Sequence, residues 1–350
     1  STANGNPSWY LTIPNRYYQM VGQKPPQVAR ADRKEFLYPI TGDYFQNNPK
    51  EESSSGAGHA IYTARRFPEE WWNRRAFICE PPMHLVATPR HQNVGDTFQT
   101  TRFENNLYAS ADAWSAPVAA EVGPDGAVWI ADWYNPICNH NPFRTHHKLG
   151  PGNAHLNDDR DRKHGRIYRV YPKGSKDDPF PGLATVEQCI RALNHPNLFW
   201  KLTAQRQLIT LADRKAGPRL HEALRREELS WAVHAMVSHA LQELKEERYF
   251  ELRPADVAAL NRGSPGGYSA DDPQQHPLVR KASVLRLMNH LPADPSLGAR
   301  LAKALATDPT IQRYRQLAEA FRLAILHHPE GFVRHLIENN LDPDNPSLKR

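Results

Sequence analysis

The stretch Gly123–Pro136, GPDGAVWIADWYNP, joins a tight turn to a short apolar run and ends in polar and aromatic residues. Pro124 presets φ for a turn, and Asp125-Gly126 tolerate the left-handed geometry that a turn requires. The run AVWIADW (127–133) has no helical period and is rich in residues that favour strands. Core packing does not account for its end, Asp132, Trp133, Tyr134 and Asn135. Strand ends on a rigid sheet are common places to build a site.

Working outward, similar short runs surround it: GHAIYT (58–63), RAFICEP (75–81), HLVAT (84–88), DTFQTTRF (96–103), APVAAEVG (116–123) and RIYRVYP (166–172). Each is bounded by Gly, Pro, Asn or Asp, the punctuation of antiparallel strands. Their spacing points to a sandwich or a β-propeller. Residues 1–57 carry a weaker signal. WYLTIP (9–14) reads as one strand and QNNPKEESSSGAG (46–58) as a flexible loop.

The period changes after PKGSKDDPFPG (172–182), a turn-rich linker. Leu183, Val186, Ile190 and Leu193 fall on one face of a helix. HPNLFWKLTAQRQLITL (195–211) and HPLVRKASVLRLMNHL (276–291) share a design and begin 81 positions apart. That spacing matches two intervals of the roughly 40–47 residues of a HEAT-type repeat. SWAVHAMVSHALQEL (230–244), QRYRQLAEAFRLAILHH (312–328) and GFVRHLIENN (331–340) complete a helical array. Such an array buries its core by stacking and offers a binding surface.

The 350 residues allow two domains or more, with 23% charged and 39% hydrophobic residues, as globular proteins have. Thirty prolines and a mean hydropathy of −0.70 indicate many loops. The net charge is +6, with Lys and Arg scattered among acids, so no nucleic-acid partner is expected. No apolar run approaches the roughly 20 residues of a membrane span. Cys79, Cys138 and Cys189 form no C-x-x-C pair, which excludes a c-type haem attachment and a four-Cys zinc site within this chain. One disulfide is allowed and none is implied.

Four strings carry a family resemblance: AIYTARRFPEEWWNRRAFICEPPMHLV, DAWSAPVAAEVGPDGAVWIADWYNPICNHNP, GPGNAHLNDDRDRKHGRIYRVYPKG and HPNLFWKLTAQRQL. Together they resemble the planctomycete and verrucomicrobial membrane-bound dehydrogenase-like family, itself similar to glucose/sorbosone dehydrogenases. The resemblance covers residues 58–210 well, 211–350 as generic HEAT-like helices, and 1–57 weakly. It implies a mixed fold, the C-terminal blades of a β-propeller followed by an α-α HEAT-like solenoid. The expected divisions are an irregular start (1–57), propeller blades (58–172), a linker (173–182) and helical repeats (183–350). The strands are too few for a whole propeller, so a longer parent chain or a partner is expected to supply the other blades. The resemblance further implies export to the periplasm or the extracellular space. It implies oxidation of a sugar hydroxyl or hemiacetal with pyrroloquinoline quinone and calcium, a histidine taking the hydroxyl proton. Electrons would leave through a haem domain that this chain lacks.

Candidate residues follow, each with a plainer alternative. Asp132, Asn135, His140 and Asn141 cluster around WYNPICNHNP. Carboxylate and amide oxygens suit Ca²⁺, placing Asp132 and Asn141 as metal ligands and Asn135 in cofactor binding, and His140 is a candidate proton acceptor. The alternative is that these residues only tie down a loop. His146, His147 and His155 with Asp158 and Asp159 offer metal donors without a recognised zinc spacing, or a solvated loop. Arg162, with Arg160, Lys163 and Arg166, is placed to clamp quinone carboxylates, or belongs to a self-neutralising patch. His59, in GAGHAIY, is a second candidate base or a surface residue; no helix pattern follows GAG, so it is no dinucleotide fingerprint. Trp133 is the tryptophan expected to contact a ligand, whereas Trp71, Trp72, Trp114 and Trp129 suit packing and Trp200 and Trp231 suit a helical core. The competing function is a non-catalytic scaffold that binds a sugar, a polysaccharide or a protein partner, the helical repeats or the missing blades taking the protein. An intracellular adaptor built on HEAT repeats alone would leave the strands without a role.

Overall fold

The computed structural model describes residues 8–26, 29–31, 37–41, 53, 55–101, 105–136, 161, 163–211, 218–220, 222, 236, 240, 276–290 and 293–339. The fold is mixed, with small antiparallel sheets and one short helix first and the other helices after them. The strands are β1 (Trp9–Tyr10), β2 (Ala29–Arg30), β3 (Ala57–Ile61), β4 (Ala76–Glu80), β5 (Leu85–Ala87), β6 (Arg90–Val94), β7 (Thr97–Thr101), β8 (Tyr108–Ala109), β9 (Pro117–Val122), β10 (Val128–Asp132) and β11 (Arg166–Val170). The helices are α1 (Asn15–Met20), α2 (Val186–Ala192), α3 (Leu198–Leu211), α4 (Pro277–His290), α5 (Pro295–Thr307), α6 (Pro309–Arg313), α7 (Arg315–His327) and α8 (Pro329–Glu338).

One sheet has the order β3-β4-β5-β8, and a second places β10 between β9 and β11. The opening stretch behaves as its turn chemistry requires. Gly126 holds φ at +77°, and its N–H donates to the Gly123 carbonyl at 3.1 Å. Along β10 the side chains alternate: Val128 and Ile130 are fully buried while Trp129 is 40% exposed. The inward residues join Tyr62, Phe67, Phe77, Val86 and Ala120 in one core. The Tyr62 hydroxyl accepts from the Phe67 N–H at 2.9 Å and donates to the Gly126 carbonyl at 3.0 Å, so the buried phenol is matched on both sides. Burial pushes its pKa up to about 12.

The chain forms two compact units, and they do not divide at the 173–182 linker. One comprises residues 1–9, 30–92 and 99–210; the other comprises 10–29, 93–98 and 211–350. Helices α2 and α3 stay with the sheets because Asn197 donates to the Gly123 carbonyl at 2.9 Å and Trp200 Nε1 to the Pro124 carbonyl at 2.8 Å. Trp200 is therefore half-buried against the strand turn and hydrogen-bonded, not the plain core residue expected of it. Thr185 and Gln188 form a reciprocal cap that starts α2.

The helical unit recruits residues far away in sequence. Ile13, Tyr17 and Tyr18 pack with Leu301, Ile311, Phe321 and Leu323. The strand expected over 9–14 thus shrinks to Trp9–Tyr10, and α1 follows Pro14, because burial of its two tyrosines decides the local structure. The hairpin β6–β7, whose first strand escaped the sequence reading, ends in Asp96. That buried carboxylate accepts from the Gln316 N–H at 2.5 Å and the Leu317 N–H at 2.9 Å, capping α7. Asp294 and Asp308 cap α5 and α6 in the same way from adjacent positions. Helices α5 and α8 approach closely at Gly298 and Gly331, where an added Cβ would run into the His328 and Pro295 carbonyls respectively. The expected helix over 312–328 is split at Tyr314 into α6 and α7, and most of 230–244, with Trp231, lies outside the described residues. Cys79 and Cys189 are free buried thiols, and burial pushes Cys79 up to about 12. Cys138 lies outside the described residues.

Candidate functional site

The site is built where β10 ends and β11 begins. Asp132 and Arg166 are register partners across the two strands, so their side chains meet at the sheet's end. One Asp132 oxygen accepts from the Ala116 N–H at 2.6 Å and the Tyr134 N–H at 3.0 Å. The other accepts from the Ser115 hydroxyl at 3.3 Å and Arg166 Nε at 3.0 Å, with Arg166 Nη2 at 2.9 Å. Asp132 is 2% exposed, and protein donors occupy both oxygens. A Ca²⁺ ion here would have to displace Arg166 and two backbone N–H groups, so the residues present do not fit calcium ligation through Asp132. Their arrangement is that of a loop anchor.

Arg166 also reaches Asp112, whose Oδ2 accepts from Nη1 at 2.8 Å. The Trp114 N–H donates to Asp112 and holds its pKa below the ordinary value, with Arg166 adding to the effect. Burial opposes the charge on Arg166, and the Asp112 and Asp132 carboxylates more than offset it, raising its pKa. Above the guanidinium lies the Tyr134 ring, at 4.4 Å to its centroid, and Trp114 stacks on Tyr134 at 5.4 Å. Tyr134 holds φ at +55°, a left-handed conformation costly for a bulky residue, and the bond from its N–H to Asp132 helps to fix it. Trp133, next in sequence, is 39% exposed.

A second group borders this platform. Asp161 accepts from the Lys163 N–H at 2.6 Å and the His164 N–H at 2.9 Å, and its other oxygen sits 2.5 Å from His164 Nδ1. These bonds, the Lys163 N–H first, lower its pKa to about 2. The His164 side chain is 71% exposed and meets Tyr134 edge-on, at 6.4 Å between centroids. Asn135, only 1% exposed, donates to the Asp161 carbonyl at 3.3 Å and so ties the two groups together.

Of the residues singled out from sequence, Asp132, Trp133, Asn135 and Arg166 come together here, Arg166 paired with Asp112 and Asp132. His140, Asn141 and Arg162 lie outside the described residues, as do His146, His147, His155, Asp158, Asp159 and Arg160. His59 is not part of this platform's contacts; its ring neighbours His91. Trp71 and Trp72 pack against the sheet core, as expected, while Trp129 is more exposed than a packing role requires. The sequence reading missed Asp112, Tyr134 and the Asp161–His164 pair as site residues. The D-x-x-H spacing of the pair was a usable signal, since an aspartate at that distance can hold the histidine ring. Asp112 carried no such signal, because its partner Arg166 is supplied by another strand.

Residues 1–174 match a family described as a domain of unknown function (DUF7133). The matched span takes in all eleven strands of the described residues and stops just after β11. No curated protein and no solved structure matches the chain. Among the described residues, no helix is long and apolar enough to cross a membrane, and no group of three or more His, Cys, Asp or Glu is placed to hold a metal ion.

Proposed function

We propose that the strand half is a set of β-propeller blades, that the helical half is a HEAT-like array, and that the protein is a scaffold whose platform at the end of β10 binds a carbohydrate. The consecutive antiparallel order of β3-β4-β5 and β9-β10-β11 is the connectivity of propeller blades. The family resemblance of the four strings supports the same arrangement and an exported protein of the periplasm or extracellular space. The observation that carries the ligand is the surface itself. Exposed Trp133 and the Trp114–Tyr134–Arg166 stack offer flat faces to sugar C–H groups, and the part-exposed Asp112 carboxylate and the His164 imidazole offer hydroxyl partners. Calorimetry with a panel of neutral oligosaccharides tests this. Saturable binding weakened at least tenfold by Trp133→Ala supports it; no binding by any member of the panel contradicts it.

The dehydrogenase reading draws on one observation, the Asp161–His164 pair. A carboxylate fixed on Nδ1 orients an exposed imidazole to accept a proton from a substrate hydroxyl. The quinone and its calcium would need donors other than Asp132. Dye reduction by the protein supplied with pyrroloquinoline quinone, Ca²⁺ and an aldose, lost in His164→Gln, would replace the scaffold reading with this one. A protein partner of the helical array is proposed on its repeat character alone.

A further inference from the structure

His59 on β3 and His91 on β6 belong to neither the platform nor the Asp161–His164 pair. Their rings lie 5.8 Å apart, centroid to centroid, tilted at 55°. Each has its Nε2 buried, and neither atom finds a hydrogen-bond partner among the described residues. Both histidines come from strands of the same compact unit, so the juxtaposition is fixed by the fold. Buried polar atoms in proteins are nearly always matched, and two unmatched nitrogens on adjacent rings ask for a common explanation.

We propose that His59 and His91 are the protein ligands of a divalent first-row metal ion bound through imidazole nitrogen, with water or a further ligand completing its coordination. Two imidazoles sharing one ion at metal–nitrogen lengths of about 2.0–2.1 Å place their ring centroids roughly 5–6 Å apart, which the observed separation meets. Imidazole donors suit zinc, copper and nickel over calcium or magnesium. Neutral imidazole is the form that binds metal, and an Nε2 without a partner among the described residues is available to do so. Among the described residues no carboxylate, thiolate or third imidazole forms a three-membered set with them.

The test is a titration of the full chain with Cu²⁺ at pH 7, following stoichiometry by calorimetry and nitrogen hyperfine structure by electron paramagnetic resonance. His59→Gln and His91→Gln are measured separately, with circular dichroism to confirm the fold. The expected result is loss of one tightly bound ion, or at least a tenfold weaker Kd for it, in each folded variant, together with loss of a two-nitrogen signal. His164→Gln should retain that ion. Unchanged stoichiometry and affinity in both folded variants, or no ion bound by the wild-type chain, would overturn the assignment. If one variant does not fold, the other decides on the same readouts.

Discussion

The end of β10 and the β3–β6 histidine pair treat buried polar atoms in opposite ways. Asp132 has donors on both carboxylate oxygens, from its own strand end, from the loop before β9 and from β11. His59 and His91, both part-buried, each hold an Nε2 that is buried and without a hydrogen-bond partner among the described residues. The conspicuous motif is the satisfied one. WIADWYNP draws the eye because an acid and aromatics close an apolar strand, yet its acid is consumed in holding the chain. The His59–His91 pair, of which only His59 stood out in the sequence, carries the nitrogens without a partner among the described residues.

The largest expected effect tests the satisfied side. Asp132→Asn keeps the size of the side chain but removes the charge opposite Arg166, and an amide cannot accept on both sides as the carboxylate does. A loss of about 3 kcal/mol in unfolding free energy is expected by denaturant titration, the range for breaking a well-buried pair from one side, discounted because Arg166 is part-exposed. A change under 0.5 kcal/mol would remove Asp132 as the anchor.

His328, in the helical unit, sharpens the comparison because it is matched at one nitrogen only. Its Nδ1 accepts from the Asp294 N–H at 2.8 Å while Nε2 has no partner among the described residues. Burial lowers its pKa to about 4, with His327 contributing and Asp294 opposing. The folded state therefore prefers the neutral ring, and the stabilisation is complete above pH 6.5. It is lost as pH falls from 6.5 toward 4, because the unfolded chain takes up the proton first. On the order of 2 kcal/mol should be lost over that window through this residue. His328→Gln should flatten the pH dependence by that amount, and an unaltered slope would contradict the assignment.

On the platform, Trp133→Ala should weaken oligosaccharide binding about tenfold, near 1.4 kcal/mol, and cost about 1 kcal/mol of stability, since only 39% of the residue is exposed. A stability loss larger than the affinity loss would make Trp133 a packing residue. The smallest effect is expected for His59→Gln without metal, within about 0.5 kcal/mol of wild type, because its Nε2 makes no bond to the described residues. A loss of about 2 kcal/mol there would place His59 among the matched groups and erase the contrast.

What was legible in the sequence was local. Pro124, Asp125 and Gly126 specify the turn, the alternation in AVWIAD specifies β10, and Asp294 and Asp308 sit beside the helices they cap. What was not legible depended on distance. NRYYQM (15–20) becomes a helix because Tyr17 and Tyr18 find a core formed about 300 residues later. Asp96 caps a helix whose N–H groups lie 220 and 221 positions away. Asp132 meets Arg166 34 positions on, and no spacing rule connects them. The division of the chain was hidden for the same reason, since Asn197 and Trp200 reach back to the strand turn at Gly123 and Pro124.

The most direct measurement is thermal unfolding of the wild-type chain and Asp132→Asn, each with and without millimolar Ca²⁺. The account predicts a lowered Tm for the variant and no calcium-dependent shift that Asp132 controls. A wild-type Tm raised by Ca²⁺ and a variant that is equally stable but blind to the ion would contradict it, and would make Asp132 a metal ligand after all.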